Sequence, residues 1–183
     1  MKQILGLDLS LTSSGVAVIG DNLLSAWAFK PKGTGLNRMR QARAEFAYWA
    51  REAELVVIEG PSYGSQAGGR QSGHHERAGL WWMVYDRLDR DGVHVAVVPP
   101  ATLKRYATGK GNASKDAMLV AAAKRFADWT GGNDEADAAW LAAMGTDYLG
   151  APFVAMPAAN REALKAVSWL KPPAALDQAG GAS

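Results

Sequence analysis

The chain contains no cysteine. That absence removes disulfides, thiolate zinc sites and cysteine nucleophiles together. Long apolar runs are missing as well, since no uncharged stretch approaches the roughly 20 residues needed to cross a bilayer. The segment Met1-Lys2-Gln3-Ile4-Leu5-Gly6 has neither the apolar core nor the small-residue cleavage site of a secretory signal. A cytoplasmic protein with no membrane partner is therefore expected. A strong charge of either sign is also lacking. Twenty Lys+Arg stand against 18 Asp+Glu, for a formal net charge of +2. That balance by itself announces no nucleic-acid partner, but net charge hides distribution. Isoleucine is confined to Ile4, Ile19 and Ile58, which reads as the mark of a GC-rich genome rather than of a fold.

Of the 183 residues, 48% are hydrophobic, enough to bury a core. One compact domain is expected over residues 1–170, with a disordered tail over 171–183 that holds Pro172, Pro173, Gly180 and Gly181. Residues 3–9, 15–20 and 23–30 read as three short strands joined by the tight turns Thr12-Ser13-Ser14-Gly15 and Gly20-Asp21-Asn22, an antiparallel meander. Leu36, Met39, Ala42, Phe46 and Trp49 recur at helical spacing and predict a helix over 36–53. Leu55-Val56-Val57-Ile58 is a continuous apolar run, as for a strand buried on both faces. Residues 60–73 hold five glycines and no apolar period, which predicts a mobile loop. A helix over 74–90 and a strand over 93–98, stopped by Pro99-Pro100, follow. Further helices are expected near 114–127, 134–149 and 159–170. Strands alternating with helices after a meander predict an α/β fold: a mixed five-stranded sheet, three strands antiparallel and two parallel, flanked by helices.

Four carboxylates stand at informative positions. Asp8 interrupts an apolar strand, where a charge is costly unless paired or metal-bound. Glu59 ends the most apolar strand, at the kind of carboxyl edge where sites collect. Asp134 and Asp137 are three apart at a helix start and share a face. Taken alone, Asp134 reads equally well as an acid favouring the helix dipole, and Glu59 as a turn cap. Taken together, four hard oxygen donors without cysteine suit Mg²⁺ or Mn²⁺. Two such ions can activate a water and stabilise a leaving oxygen in phosphodiester cleavage.

The segment Ile4-Leu5-Gly6-Leu7-Asp8-Leu9-Ser10-Leu11-Thr12-Ser13-Ser14-Gly15 resembles the first hairpin of the RuvC-like Holliday junction resolvases, within the RNase H-like superfamily. Val57-Ile58-Glu59 is similar to that family's second acidic motif, and Asp134-Glu135-Ala136-Asp137-Ala138 to its closing one. Pro100 to Lys115 is similar to its basic loop. The resemblance covers residues 3–149 in order. It implies an RNase H-like fold and a homodimer that nicks two symmetry-related strands of a four-way DNA junction. By motif, it assigns metal binding to Asp8, Glu59, Asp134 and Asp137, and implies two Mg²⁺ or Mn²⁺ per site. Lys115 matches the lysine beside the scissile phosphate and Lys104 one that holds backbone phosphate. Tyr63 falls near the aromatic inserted at the junction centre. Leu9-Ser10, where bacterial resolvases carry Pro-Gly, looks more like phage-encoded members, some of which are broader branched-DNA nucleases.

The charge distribution fits that implication. Residues 104–125 carry Lys104, Arg105, Lys110, Lys115, Lys124 and Arg125 against Asp116 alone. Lys124 and Arg125 read as a solvated charge run. From Lys104 to Lys115, interleaved Gly, Asn and Ser point to backbone approach to phosphate, with Arg105 and Lys110 as DNA contacts and Arg70 adding to them. His74 and His75 are adjacent, so on a helix they do not share a face for a metal. Trp81, Trp82, Val84, Tyr85 and Leu88 read as packing surface, part of it a dimer interface. Three alternatives remain. The first hairpin also resembles the phosphate loop of actin-like ATPases, although no second such loop follows. An RNase H-type ribonuclease would use a glutamate of the first helix, where Glu45 and Glu52 are available. The non-enzyme alternative is an inactive junction-binding module.

Overall fold

The computed structural model describes residues 3–61 and 74–169. The expected tail and most of the glycine-rich loop, with Tyr63 and Arg70, lie outside them. The meander forms β1 (Gln3–Asp8), β2 (Ser14–Gly20) and β3 (Leu23–Phe29). Then come α1 (Gly35–Trp49), β4 (Ala53–Glu59), α2 (His74–Arg90) and β5 (Val95–Val98). The remainder is helical: α3 (Pro100–Thr108), α4 (Lys115–Arg125), α5 (Asn133–Tyr148) and the single turn α6 (Ala158–Arg161). The strands form one mixed sheet in the order β3-β2-β1-β4-β5. β1 is antiparallel to β2 and parallel to β4, and β4 is parallel to β5.

Strand parity divides the core into two layers. Leu5, Leu7, Val16, Val56, Ile58 and Val95 face α1 and α2, where they meet Phe46, Leu80, Val84 and Leu88. Ile4, Ala17, Ile19, Leu55, Val57, Ala96 and Val98 face the other way, against α3, α4 and α5. The molecule is thus a sheet between two helical layers, with β1 and β4 buried on both sides, as the apolar run of β4 predicts for that strand. On the first side, Phe29 and Trp49 meet edge-on at 5.3 Å, anchoring α1 on the meander.

α5 is buried on nearly its whole circumference from Ala136 to Asp147, the signature of a central helix rather than an amphipathic one. It lies almost on the main chain of the sheet. A Cβ at Gly6 would collide with the Ala138 carbonyl, and one at Gly15 with that of Asp134. A Cβ at Gly145 would strike Ile4 and Val57. Glycine in the strands and alanine on the helix allow the approach. Trp140 locks the outer layer, with its indole N–H donating to the Met118 carbonyl at 3.3 Å and its ring 4.6 Å from Phe126.

Three expectations need adjustment. Residues 100–115 form a helix, a short turn and the start of a second helix, not one basic loop. Pro100 opens α3 because its missing N–H is unneeded in a first turn, and Gly109, at φ 82°, ends it. β5 starts at Val95 rather than at 93, although the His94 carbonyl still accepts from Val56 N–H at 2.8 Å. The last helix is brief, α6 followed by a 3₁₀ stretch over Glu162–Ala166. Beyond it, Ser168 bridges to Val97 on the β5 edge, and Trp169 stacks on Tyr148 at 4.1 Å. The segment is held by a network centred on the buried Asp147 carboxylate. Tyr106 donates its hydroxyl proton to Asp147 at 3.0 Å, and Arg161 pairs with the same carboxylate at 2.6 Å. Asn160 donates to the Tyr106 carbonyl at 2.7 Å. Among the described residues, no helix is long and apolar enough to cross a membrane.

Candidate active site

β1 and β4 end together. Leu7 stands opposite Ile58 in the parallel register, so Asp8 and Glu59 leave the sheet side by side. Parity decides which way they point: Gly6 and Val57, two residues back on each strand, face α5, and Asp8 and Glu59 follow. Both sit half-buried beneath the first turn of that helix. Asp134 and Asp137 occupy this turn, brought down by the glycine contacts above. The four acids thus meet at one edge from three elements.

Each position is secured locally. Ser10 N–H donates to Ser14 Oγ, and Ser14 Oγ donates back to the Ser10 carbonyl, both at 2.9 Å, closing the β1–β2 turn. Next to it, Ser13 donates its hydroxyl proton to Asp134 at 2.6 Å. The Trp81 indole N–H donates to the Glu59 carbonyl at 2.9 Å, so α2 pins the end of β4. Ser13 and Trp81 were not singled out as site residues from the sequence. Ser13 reads there as a turn residue and Trp81 as packing surface. Trp81 is indeed buried, whereas its neighbour Trp82 is 61% exposed.

The electrostatics register how close the acids are. Burial, then Asp137 and Asp134, push Asp8 from 3.8 up to about 7, with Lys115 opposing. Burial, then Asp8 and Asp137, push Glu59 up to about 8, against the pull of Lys104 and Lys115. Burial raises Asp137 to about 6, while Lys115 and Lys104 oppose and Asp134 adds to the rise. Desolvation and like charge act in the same direction on these groups, and two lysines do not offset them. Lys104 is half-buried on α3, and Lys115 is the exposed first residue of α4, behind the Ser114 cap. Both lie within electrostatic reach of the acid cluster, Lys115 of Asp8, Glu59 and Asp137 and Lys104 of Glu59 and Asp137.

Not every expected residue joins the cluster. The Arg105 guanidinium lies toward Gly111, and Lys110 is exposed on the turn after α3. Glu52 lies in the 3₁₀ turn before β4, at the opposite edge of the sheet, and Glu45 belongs to α1, the layer on the other face. Neither takes the place that a ribonuclease-type helix glutamate would need beside Asp8. His75 is exposed at the start of α2.

Among the described residues, no three carboxylates are closed up around one point as a finished cation cage. The donor set nonetheless fits a hard divalent cation. It is all oxygen, mutually repelling and short of positive charge, which is the deficit such an ion would fill.

No family sequence model and no curated protein sequence matches the chain. Solved structures do. RuvC of Thermus thermophilus superposes with a TM-score of 0.61 at 18% identity, covering 85% of this chain and 99% of that one. The chain has the RuvC fold. The same RuvC in complex with Holliday junction substrate gives a TM-score of 0.59, also at 18% identity, over 86% of this chain and 100% of that one. The fowlpox virus resolvase in complex with Holliday junction DNA gives 0.55 at 13% identity, over 80% and 98%. The RuvC-like fold agrees with the expected mixed five-stranded sheet.

Proposed function

We propose that this RuvC-like protein is a divalent-metal-dependent DNA endonuclease that resolves four-way junctions. The observation that carries the proposal is the meeting of Asp8, Glu59, Asp134 and Asp137 at one sheet edge, with Lys104 and Lys115 in electrostatic reach. The four acids would hold Mg²⁺ or Mn²⁺, two ions per site. When bound, such ions supply an activated water and stabilisation of the leaving oxygen in phosphodiester hydrolysis. Lys115, exposed and next to the acids, offsets the negative charge that develops on the attacked phosphate. Lys104 holds the adjoining backbone phosphate, with Arg105 and Lys110 contacting DNA along the same flank. Paired symmetric nicks require two centres, so the active species is a homodimer. Exposed Trp82 on α2 offers it an apolar surface.

The test is cleavage of a synthetic four-way junction by the purified protein in Mg²⁺ and in Mn²⁺. Symmetric paired nicks, abolished in Asp8→Asn with binding retained, are expected. Absence of cleavage in both metals refutes the proposal. Equal cutting of flaps and forks would replace junction resolution with general debranching. Tight binding without cleavage would leave a binding module.

A further inference from the structure

The acid-bearing edge is flanked by positive charge on two sides, and the proposed chemistry uses only the α3–α4 side. β3 ends at Phe29, opposite Ser14. Lys30 and Lys32 therefore leave the sheet at the same edge as Asp8, and α1 begins there. From 30 to 43 the chain has five basic residues and no acidic one. Lys30, Lys32 and Arg40 are exposed, and none of them is in an ion pair among the described residues. Lys32 N–H donates to Gln41 Oε1 at 2.6 Å, fastening this segment to α1.

Helix stability does not account for these cations. α1 has no acid in its first turn, and Thr34 makes no side-chain cap bond. Arg38 instead sits in the first turn, at the positive end of the helix dipole, where a cation costs roughly 0.3–1 kcal/mol, and Arg40 follows in the next turn. Arg38 has a long contact of 3.5 Å with Glu76, and its Nε and that of Arg43 are buried without a partner. A surface that concentrates cations where the fold disfavours them is built for an anion. β3 lies two strand spacings from β1, about 10 Å. That distance is about three nucleotide rises of one DNA strand.

We propose that Lys30, Lys32 and Arg40 form a second phosphate track, gripping the DNA backbone about three nucleotides from the scissile position on the β3 side. This rests on the endonuclease reading above and extends it. A strand crossing the edge is then held on both sides of the acids, by α3–α4 at one flank and by the start of α1 at the other.

The experiment compares Lys30→Gln/Lys32→Gln/Arg40→Gln with a control, Arg51→Gln/Arg87→Gln/Arg90→Gln, at the opposite edge of the sheet. Binding to a four-way junction is measured without divalent metal over a range of KCl, with circular dichroism confirming the fold. Each lost phosphate contact removes about 0.9 from the slope of log K against log salt. The first variant should show a slope shallower by about 2–3 and a Kd raised at least tenfold. Its single-turnover cleavage rate at saturating protein should stay within about twofold of wild type. Ethylation interference should disappear about three nucleotides from the cut. An unchanged slope in that variant, or an equal loss in the control, overturns the track while leaving the endonuclease reading standing. A wild-type chain that binds no branched DNA overturns both.

Discussion

Neutralising Asp8 should remove activity and make the metal-free protein more stable. In the unfolded chain this carboxyl titrates near 3.8, and in the fold burial and its acidic neighbours hold it near 7. A raised acid contributes nothing while it is protonated in both states. As pH rises from about 4 to about 7, folding must take up a proton, and above about 7 the native state keeps a desolvated charge. Stability is therefore lost as pH rises. The shift from 3.8 to about 7, relative to a fixed neutral side chain, corresponds to a penalty of about 4 kcal/mol at pH 8, about 2 kcal/mol at pH 5 and less than about 1 kcal/mol at pH 4. For a domain of this size each kcal/mol moves Tm by roughly 2–4 °C. Asp8→Asn in EDTA should then melt roughly 10 °C above wild type at pH 8, with the gap shrinking to roughly 1–2 °C at pH 4. Differential scanning fluorimetry across that pH range reads both numbers. Addition of Mg²⁺ should narrow the gap by raising the wild type and not the variant. A gap that is absent, or constant from pH 4 to pH 8, refutes the view that the acids crowd each other in a desolvated cluster.

Other consequences are open to direct measurement. In EDTA the wild type should melt lower at pH 8 than at pH 5, because Asp8, Glu59 and Asp137 all titrate upward of their ordinary values, and its Mg²⁺-dependent rise in Tm should be larger at pH 8. Lys115→Ala should lower single-turnover cleavage about 10²–10³-fold with junction affinity nearly kept, as for loss of one charge-stabilising donor. Gly15→Ala should destabilise the fold by about 1–3 kcal/mol in urea titration, because the new Cβ meets the Asp134 carbonyl, and should depress cleavage in the fraction that remains folded. Tyr106→Phe should cost about 1–2 kcal/mol, the worth of a hydrogen bond to the buried Asp147 carboxylate, and an unchanged urea midpoint would contradict that.

The two central acids were legible in the sequence because each breaks a local rule. A charge within Ile4–Leu9 and a carboxylate at the end of Leu55–Ile58 violate the expected apolar pattern, and a functional site is where such a violation is stable. The sheet was legible for the complementary reason, that its strands obey period and turn chemistry throughout. α3 was obscured by its own start, since Pro99-Pro100 signals the end of a strand as clearly as the beginning of a helix. Asp147, Arg161 and Tyr106 were out of reach because their partnership joins residues 41 and 14 positions apart and has no local pattern. The cations at the start of α1 also escaped notice. Arg38 and Arg43 look like the polar face of an amphipathic helix, and only the strand order and register show that α1 begins at the acid-bearing end of the sheet.

Asp8 and Asp134 are joined by a short mechanical path. Asp8 is paired in register with Gly15 across the β1–β2 ladder, and Gly15 lies against the Asp134 main chain. The separation of the two carboxylates is consequently set by a stack of peptide units rather than by the rotamers of intervening side chains. Peptide units are stiff, and surface substitution does not alter their thickness. Drift in the outer layers can change the melting point, the DNA grip or the partner surface while this spacing stays fixed. A chain can thus diverge until few of its residues match its structural neighbours and still hold its acids at one gauge, provided the glycine beneath them is kept.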